Sequence, residues 1–313
     1  MATTLIRTKL QPPRDNQSLV ERPYLIEQLN RNPDRKLTLV SAPAGYGKST
    51  LVMQWLKQVE APCGWISLDE EDNDLSRFLS YFTAAVEMLF PEACAGSREM
   101  LNSPELPDRT TLVATLVNDC LLCPRPFVIV LDDYHVLHEE QVVRLIAALF
   151  ERLPENLHLV LSTRKDPLLP LPRLRVGTQI VEVRARALRF TDEEAFSFFQ
   201  NSAHLPIDQE TAVRLNRRIE GWAAGLQMAT LAMNIPQGPG YLPVSEAILT
   251  NEYARDYLFS EVLALQPAVE QTFLLRTSIL DRFSVDLCQA VLADGAQISL
   301  QKDDLRRIIS DLN

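Results

Sequence analysis

Apolar positions along the chain fall into two alternating patterns. Short apolar runs, Leu37-Thr38-Leu39-Val40, Gly64-Trp65-Ile66-Ser67-Leu68, Phe127-Val128-Ile129-Val130-Leu131, residues 157–161 and Ile180-Val181-Glu182-Val183, have the length and composition of buried strands. Between them the spacing becomes helical. Leu51, Trp55 and Val59 recur every four residues with Val52 and Leu56 beside them, and Leu75, Phe78, Leu79, Phe82 and Val86 form a second stripe. Residues 110–122 and 142–150 read the same way. Strands apolar on both faces, separated by crossover helices, predict an α/β fold: a parallel five-stranded sheet covered on both sides. An extended, proline-marked arm (residues 5–14) and a short helix (24–30) precede the first strand, and a Pro-, Ser- and Gly-rich loop is expected over 91–108.

The character changes after Arg186. Thr191-Asp192-Glu193-Glu194 has the spacing of a capping box, in which Thr191 caps a helix and Glu194 reaches back. Three helices are predicted near 192–202, 208–219 and 222–233. Five of the eight residues 236–243 are Pro or Gly, which marks a hinge or boundary. Helical patterns return over 245–265, 268–277 and 285–292.

Composition narrows the classes. The chain has 313 residues, 46% hydrophobic and 23% charged, long enough for a substantial core and not disordered as a whole. Forty-one acidic against 31 basic residues give a net charge of −10, opposite to that of a domain holding DNA through its phosphates. No apolar run reaches the roughly 18 residues of a membrane span, and residues 1–11 lack a signal-peptide core. Five cysteines make no disulfide framework, so the cytoplasm is the expected compartment.

The chemistry concentrates in Ser41-Ala42-Pro43-Ala44-Gly45-Tyr46-Gly47-Lys48-Ser49-Thr50, directly after a strand and before a helix. That context suits a phosphate-binding loop. Gly45 and Gly47 let backbone N–H groups turn inward, the helix N-terminus adds its positive end, Lys48 reaches the β- and γ-phosphates, and the Ser49 hydroxyl is placed for Mg²⁺. The strict pattern opens with Gly where this chain has Ala42. Leu131-Asp132-Asp133 ends the most apolar strand: Asp132 would serve Mg²⁺ and Asp133 would polarise an attacking water, or the two are simply turn acids. Ser162-Thr163-Arg164 closes the next strand: Arg164 would sense a γ-phosphate, or sit as a surface cation. Cys120-x-x-Cys123 is a single pair, too few ligands for zinc. His135-x-x-His138, just beyond the acid pair, either touches the nucleotide or is a polar loop, and the acid run of residues 69–74 either contacts a water at the nucleotide site or a partner, or is a solvated loop with a helix cap.

These motifs, together with residues 5–10, Val20-Glu21-Arg22-Pro23, Tyr134-His135, residues 184–190, Gly221-Trp222-Ala223-Ala224-Gly225-Leu226-Gln227 and residues 273–280, resemble the beginning of MalT-type regulators, members of the STAND class of signal-transduction ATPases. The resemblance runs from about residue 5 to about 293 and leaves residues 302–309 unmatched. It implies a P-loop NTPase domain (1–187), a small helical domain (188–237) and a partial winged-helix-like arm (238–313). ATP or ADP with Mg²⁺ would sit between them. Lys48, Asp133 and Arg164 would act on the phosphates, and Ser49 and Asp132 on the metal. Ala44, Gly45, Tyr46, Gly47 and Thr50 would form the cradle, with Arg22 and Trp222 on the adenine side. The family usually has Pro after that Trp, where this chain has Ala223, which removes a fixed φ and a nonpolar ring.

The implied activity is a switch with weak ATPase activity, resting with ADP and self-associating with ATP, answering an inducer or regulatory protein. The LuxR-type helix-turn-helix of full-length members has no counterpart here, so no direct DNA binding is expected, and no membrane contact. The rival readings are an ordinary P-loop ATPase or kinase, and a nucleotide-binding scaffold in which hydrolysis is irrelevant.

Overall fold

The computed structural model describes residues 4–14, 19–31, 35–205, 207–233, 256, 258–264, 266–280, 282, 284–293 and 302–311. They divide into two compact units, Met1–Thr230 and Leu231–Asn313.

The first unit is built on β1 (Leu37–Ser41), β2 (Cys63–Ser67), β3 (Phe127–Asp132), β4 (Leu157–Thr163) and β5 (Ile180–Arg184). They form one sheet in the order β2-β3-β4-β1-β5, every pair parallel, as the sequence pattern predicts. Side chains alternate between its faces. Leu37, Leu39, Ile129, Leu131, Leu159 and Leu161 share one core with Phe78, Phe82, Leu116 and Leu145. These come from α3 (Leu75–Leu89), α5 (Arg109–Leu121) and α6 (Glu140–Glu151). Val40, Val128, Val130, Val160 and Val183 face the opposite way, against Leu25 of α1 (Pro23–Asn30) and Leu51, Val52 and Trp55 of α2 (Lys48–Leu56). β1 and β3 are buried along their whole length, whereas the outermost strands β2 and β5 are buried only in part.

Three sequence expectations need correction. The predicted loop over 91–108 contains a helix, α4 (Ala95–Leu101). Its composition is loop-like, but Cys94 and Met100 enter the core and buried Asp119 of α5 accepts hydrogen bonds from Ser97 N (2.7 Å) and Oγ (2.5 Å). Tertiary partners override a weak local preference there. The arm is not extended throughout: Arg7–Leu10 form a 3-10 turn. The acid run is not merely solvated. Asp72 is fully buried, and Lys9 of the arm reaches its carboxylate and lies 3.0 Å from that of Asp69. Lys9 also sits over the Tyr81 ring at 4.4 Å, and Ile6 N donates to the Tyr81 hydroxyl (3.1 Å). The acids and an aromatic of α3 together pin the arm to the domain.

A short helix α7 (Leu171–Val176), not anticipated in its proline-rich segment, lies between β4 and β5. Beyond β5 come α8 (Ala185–Leu188), α9 (Asp192–Ser197) with a π-turn over Phe198–Ser202, α10 (Gln209–Ile219) and α11 (Ala223–Met233). The Thr191–Glu194 capping box forms as read. In the second unit, helices Ala268–Thr277, Val285–Ala293 and Lys302–Asp311 gather around Phe273, Cys288, Leu292, Leu305 and Ile308. The Pro/Gly boundary at 236–243 lies outside the described residues, as does the helix expected over 245–265 apart from 256 and a π-turn at Leu258–Leu263. Among the described residues no helix is long and apolar enough to cross a membrane.

Removing one partner of a buried ion pair leaves the other charge uncompensated, at a cost of about 3 kcal/mol. Lys9→Ala is therefore expected to lower unfolding free energy by about that amount, and Lys9→Ala/Asp72→Asn by clearly less. Urea titrations of the two variants check this; equal stability of Lys9→Ala and the unmodified chain would contradict it.

Candidate functional site

The sheet order places β4 between β1 and β3, so their carboxyl ends stand side by side: Val40 is level with Ser162, Ser41 with Thr163, and Leu161 with Leu131. Ala42 N donates to Thr163 O (3.1 Å), and Leu68 N to Asp132 O (3.0 Å), carrying the ladder to the edge. The loop after β1, the acids after β3 and Arg164 after β4 therefore emerge at one crevice, where open parallel sheets bind ligands.

In the loop, Gly45 (φ +76°) and Gly47 (φ +77°) take left-handed conformations that turn successive amides inward. A Cβ on Gly47 would meet no atom within 4 Å, so its constraint is the backbone angle and not space. α2 starts at Lys48 and directs its N-terminus into the loop. Lys48 is buried (7% exposed), and its Nζ donates to Pro43 O at 3.0 Å. Burial lowers its pKa to about 8; Asp133 opposes the shift, Arg164 adds to it and Asp132 opposes it. Tyr46 is half-buried against the core beneath the loop. Thr50 lies in the first turn of α2.

The Ser49 hydroxyl donates to Asp132 Oδ1 at 2.9 Å, and the Asp132 carboxylate is nearly buried. A hydroxyl and a carboxylate with adjoining oxygens are the hard donors that Mg²⁺ takes when phosphate and water complete its shell. This donor pair fits such an ion. Asp133, next along, adopts φ +56° and is half exposed. His135 lies in the 3-10 turn Tyr134–Val136, largely buried, with Nδ1 3.8 Å from Asp133 Oδ1. Its pKa falls to about 4 through burial, assisted by the charges of Arg164, Lys48 and Lys165. The structure thus brings together Lys48, Ser49, Asp132, Asp133 and Arg164, as the sequence motifs suggest.

Two residues inferred from resemblance have specific places. Trp222 Nε1 donates to Ala44 O (2.9 Å), and Ala224 N donates to Gly45 O (2.9 Å), so the start of α11 rests on the phosphate loop itself. Gly221 (φ +71°), just before Trp222, packs closely on Phe190: a Cβ there would lie 2.8 Å from Phe190 N and O. Arg22 is buried, and its guanidinium is held by Glu194 through Nε (3.0 Å) and Nη2 (2.9 Å). It also donates to Leu188 O (2.7 Å) and Arg189 O (2.9 Å), and lies 4.9 Å from the Phe190 ring centre. Arg22 therefore fastens the segment before α1 to the start of the small helical region. The sequence pattern shows Glu194 as a cap only, and for His135 it offers a nucleotide contact or a polar loop. Its one available signal was position, two residues after the second acid.

Comparison with known proteins places this geometry in context. A family model described as the MalT winged helix domain matches residues 259–308. The chain is 33% identical over 277 residues to the HTH-type transcriptional regulator MalT of Yersinia enterocolitica, covering 88% of this chain and 31% of that protein. It is 35% identical over 277 residues to MalT of Serratia proteamaculans, covering 88% and 30%. The chain is thus related by sequence to MalT-type regulators over most of its length, while spanning less than a third of theirs. The match to residues 259–308 also corrects the expectation that residues 302–309 fall outside the resemblance. The Walker-type ATPase of Pyrococcus abyssi superposes with a TM-score of 0.62 at 15% identity, covering 98% of this chain and 93% of that one, which shows a shared fold.

The imidazoles make stability depend on pH. His158 Nδ1 donates to Arg35 O (2.5 Å) and Nε2 accepts from the Thr38 hydroxyl (2.9 Å), a neutral arrangement; burial lowers its pKa, as it does for His135. A folded-state pKa below the ordinary value of about 6.5 gives stability that is complete above that pH and declines as pH falls toward the folded value. The urea midpoint is expected to drop between pH 7 and 4.5; a constant midpoint across that range would contradict it.

Proposed function

We propose that this chain is the nucleotide-operated switch of a transcriptional regulator, binding ATP or ADP and hydrolysing ATP slowly. The observation that carries the reading is the convergence of Lys48, the Ser49–Asp132 pair, Asp133 and Arg164 on a loop with two left-handed glycines, at one sheet edge. The amides of residues 44–50 would cradle the β-phosphate, with Lys48 against the β- and γ-oxygens. Ser49 and Asp132 would hold Mg²⁺, which when bound would neutralise charge on the phosphates. Asp133 would orient the attacking water, and Arg164 would meet the γ-phosphate from the strand between the two motifs. Tyr46 belongs to the cradle, and Arg22 and Trp222 complete the adenine side of the proposal, with Arg22 acting by holding the walls of the site.

The proposed modules are 1–187, 188–237 and 238–313. ADP would hold them in a resting arrangement. An inducer or regulatory protein would favour exchange for ATP and self-association, and hydrolysis would restore rest. Full-length MalT-type relatives are named as helix-turn-helix regulators. The proposal assigns DNA reading to such a module and not to these acidic residues. A P-loop switch without an assisting partner turns over at about 10⁻⁴ to 10⁻² s⁻¹, a timer's rate, which also distinguishes it from a metabolic kinase.

Mass spectrometry of small molecules released from denatured protein is expected to find an adenine nucleotide. Lys48→Ala is expected to weaken ATP binding at least tenfold by calorimetry. Asp133→Asn is expected to keep ATP affinity within about threefold while lowering turnover at least ~10²-fold, the scale of a lost general base. Unaltered turnover in Asp133→Asn would refute its role; absence of any heat from ATP or ADP would refute the reading as a whole. Because burial holds the Lys48 pKa near 8, phosphate binding should draw a proton onto it. Calorimetry at pH 8 in buffers of different ionisation enthalpy is expected to register net proton uptake, abolished in Lys48→Ala.

A further inference from the structure

Two surfaces of the first unit have no part in the nucleotide reading, and each complements the other. The first is the segment from Arg164 to Arg189. It carries seven basic side chains against two acidic ones, in a chain where acids prevail 41 to 31. Both acids are engaged within it: Asp166 holds Arg184 (3.2 Å) and Glu182 holds Arg175 (2.8 Å). Arg173 and Arg186 form no ion pair among the described residues. Val176 and Leu168, at 88% and 81%, are the most exposed large apolar side chains among the described residues. They flank the body of α7, where Leu171 and Leu174, with Leu169 just before, are sunk in the core. Pro167, Pro170 and Pro172 stiffen the backbone between them. Two aliphatic groups are therefore held out in water on a firm support, in a basic segment.

The second surface is a cavity of about 620 Å³ where α3, α5 and α6 begin. Its floor is apolar: Leu75, Leu106, Pro107, Leu112 and Leu145. Its rim sets Asp74, Glu139 and Glu140 against Arg109 and Arg144, and Arg144 is already paired with Glu140 of its own helix. Glu70, 74% exposed, extends the acidic side. Of the described residues, none between 164 and 189 lines this cavity. The sheet order keeps the two surfaces apart, because α3 follows one edge strand, β2, and α7 precedes the other, β5.

We propose that a second copy of this chain fills the cavity: Leu168 and Val176 of one copy enter it on the next, and Arg173 and Arg186 meet the acids of its rim. An apolar centre with arginine and a charged rim is the common build of a protein interface. Because the two surfaces differ, the contact is head-to-tail, and a copy whose basic segment is engaged still offers its cavity to a further neighbour. The interface gives the self-association of the reading above its surfaces and rests on that reading. Both surfaces adjoin the nucleotide motifs. The basic segment starts at Arg164. In the cavity wall, Asn73 donates to Val136 O (3.0 Å) and accepts from His138 N (2.8 Å), in the turn after Asp133. A nucleotide that shifts either motif therefore acts on a contact surface.

Sedimentation of the full chain over a concentration series with Mg²⁺-ATP tests the pairing. One variant, Leu168→Asp/Val176→Asp, spoils the projecting segment; another, Glu139→Lys/Glu140→Lys, spoils the cavity rim. All four side chains are exposed, and circular dichroism checks folding. Each variant is expected to weaken self-association at least ~10-fold, the scale of a lost interface anchor, with ATP affinity within about twofold by calorimetry. The milder Arg173→Ala/Arg186→Ala is expected to move the same way, and added salt to weaken assembly. An equimolar mixture of the first two variants is expected to recover a dimer, since one copy supplies an intact segment and the other an intact cavity. A mixture that stays monomeric overturns the pairing. Loss in the segment variant alone gives that segment another partner surface and overturns it too. A chain that binds ATP and stays monomeric throughout overturns the self-association reading and this interface with it; assembly undisturbed by both variants overturns the interface alone.

Discussion

The insertion of β4 between β1 and β3 is the constraint from which the site follows. Parallel pairing aligns strand ends, so once Leu161 stands level with Leu131 and Ser162 with Val40, the residues just beyond each strand share one edge. Ser49 and Asp132, 83 residues apart, meet at 2.9 Å because their elements leave the same sheet side by side. A one-residue slip of register would move an entire strand's side chains to the other face and separate these groups. Full burial of both faces of the central strands, Leu and Ile on one and Val on the other, is what forbids such a slip.

Charge at that edge is balanced. Lys48 is taken out of water, which disfavours its ammonium, and Asp133 and Asp132 offset part of that cost while Arg164 adds to it. Burial disfavours a charge on the His135 ring, and Arg164, Lys48 and Lys165 add to that effect.

The helical segment after β5 touches the loop through main-chain carbonyls, Trp222 to Ala44 and Ala224 to Gly45. Contacts of that kind report loop conformation directly, because a change in Gly45 or its neighbour moves the acceptor itself. Arg22 secures the other flank, spending its donors on Glu194 and on carbonyls at the end of α8. Substituting Ala223 for the family's usual Pro leaves the Ala224 N–H contact in place, since that donor belongs to the next residue.

Hydrophobic periodicity was enough to determine the parallel sheet and the helices that cross it, because burial on two faces demands uninterrupted apolar runs and burial on one demands a stripe. The phosphate loop was equally legible, since left-handed glycines, a lysine and a hydroxyl at fixed spacing are a local, covalent arrangement. What lay beyond local pattern was every decision made by a distant partner. Asp119 turned a loop-like segment into α4, Lys9 made a buried anchor of Asp72, and Glu194 served Arg22 as well as its own helix. The sequence leaves His135 between a nucleotide contact and a polar loop, and only the packed turn shows its Nδ1 buried, 3.8 Å from Asp133 Oδ1. Local steric and hydrophobic preferences are written along the chain, whereas the cost of burying a charge or a polar atom depends on what the folded chain brings opposite it.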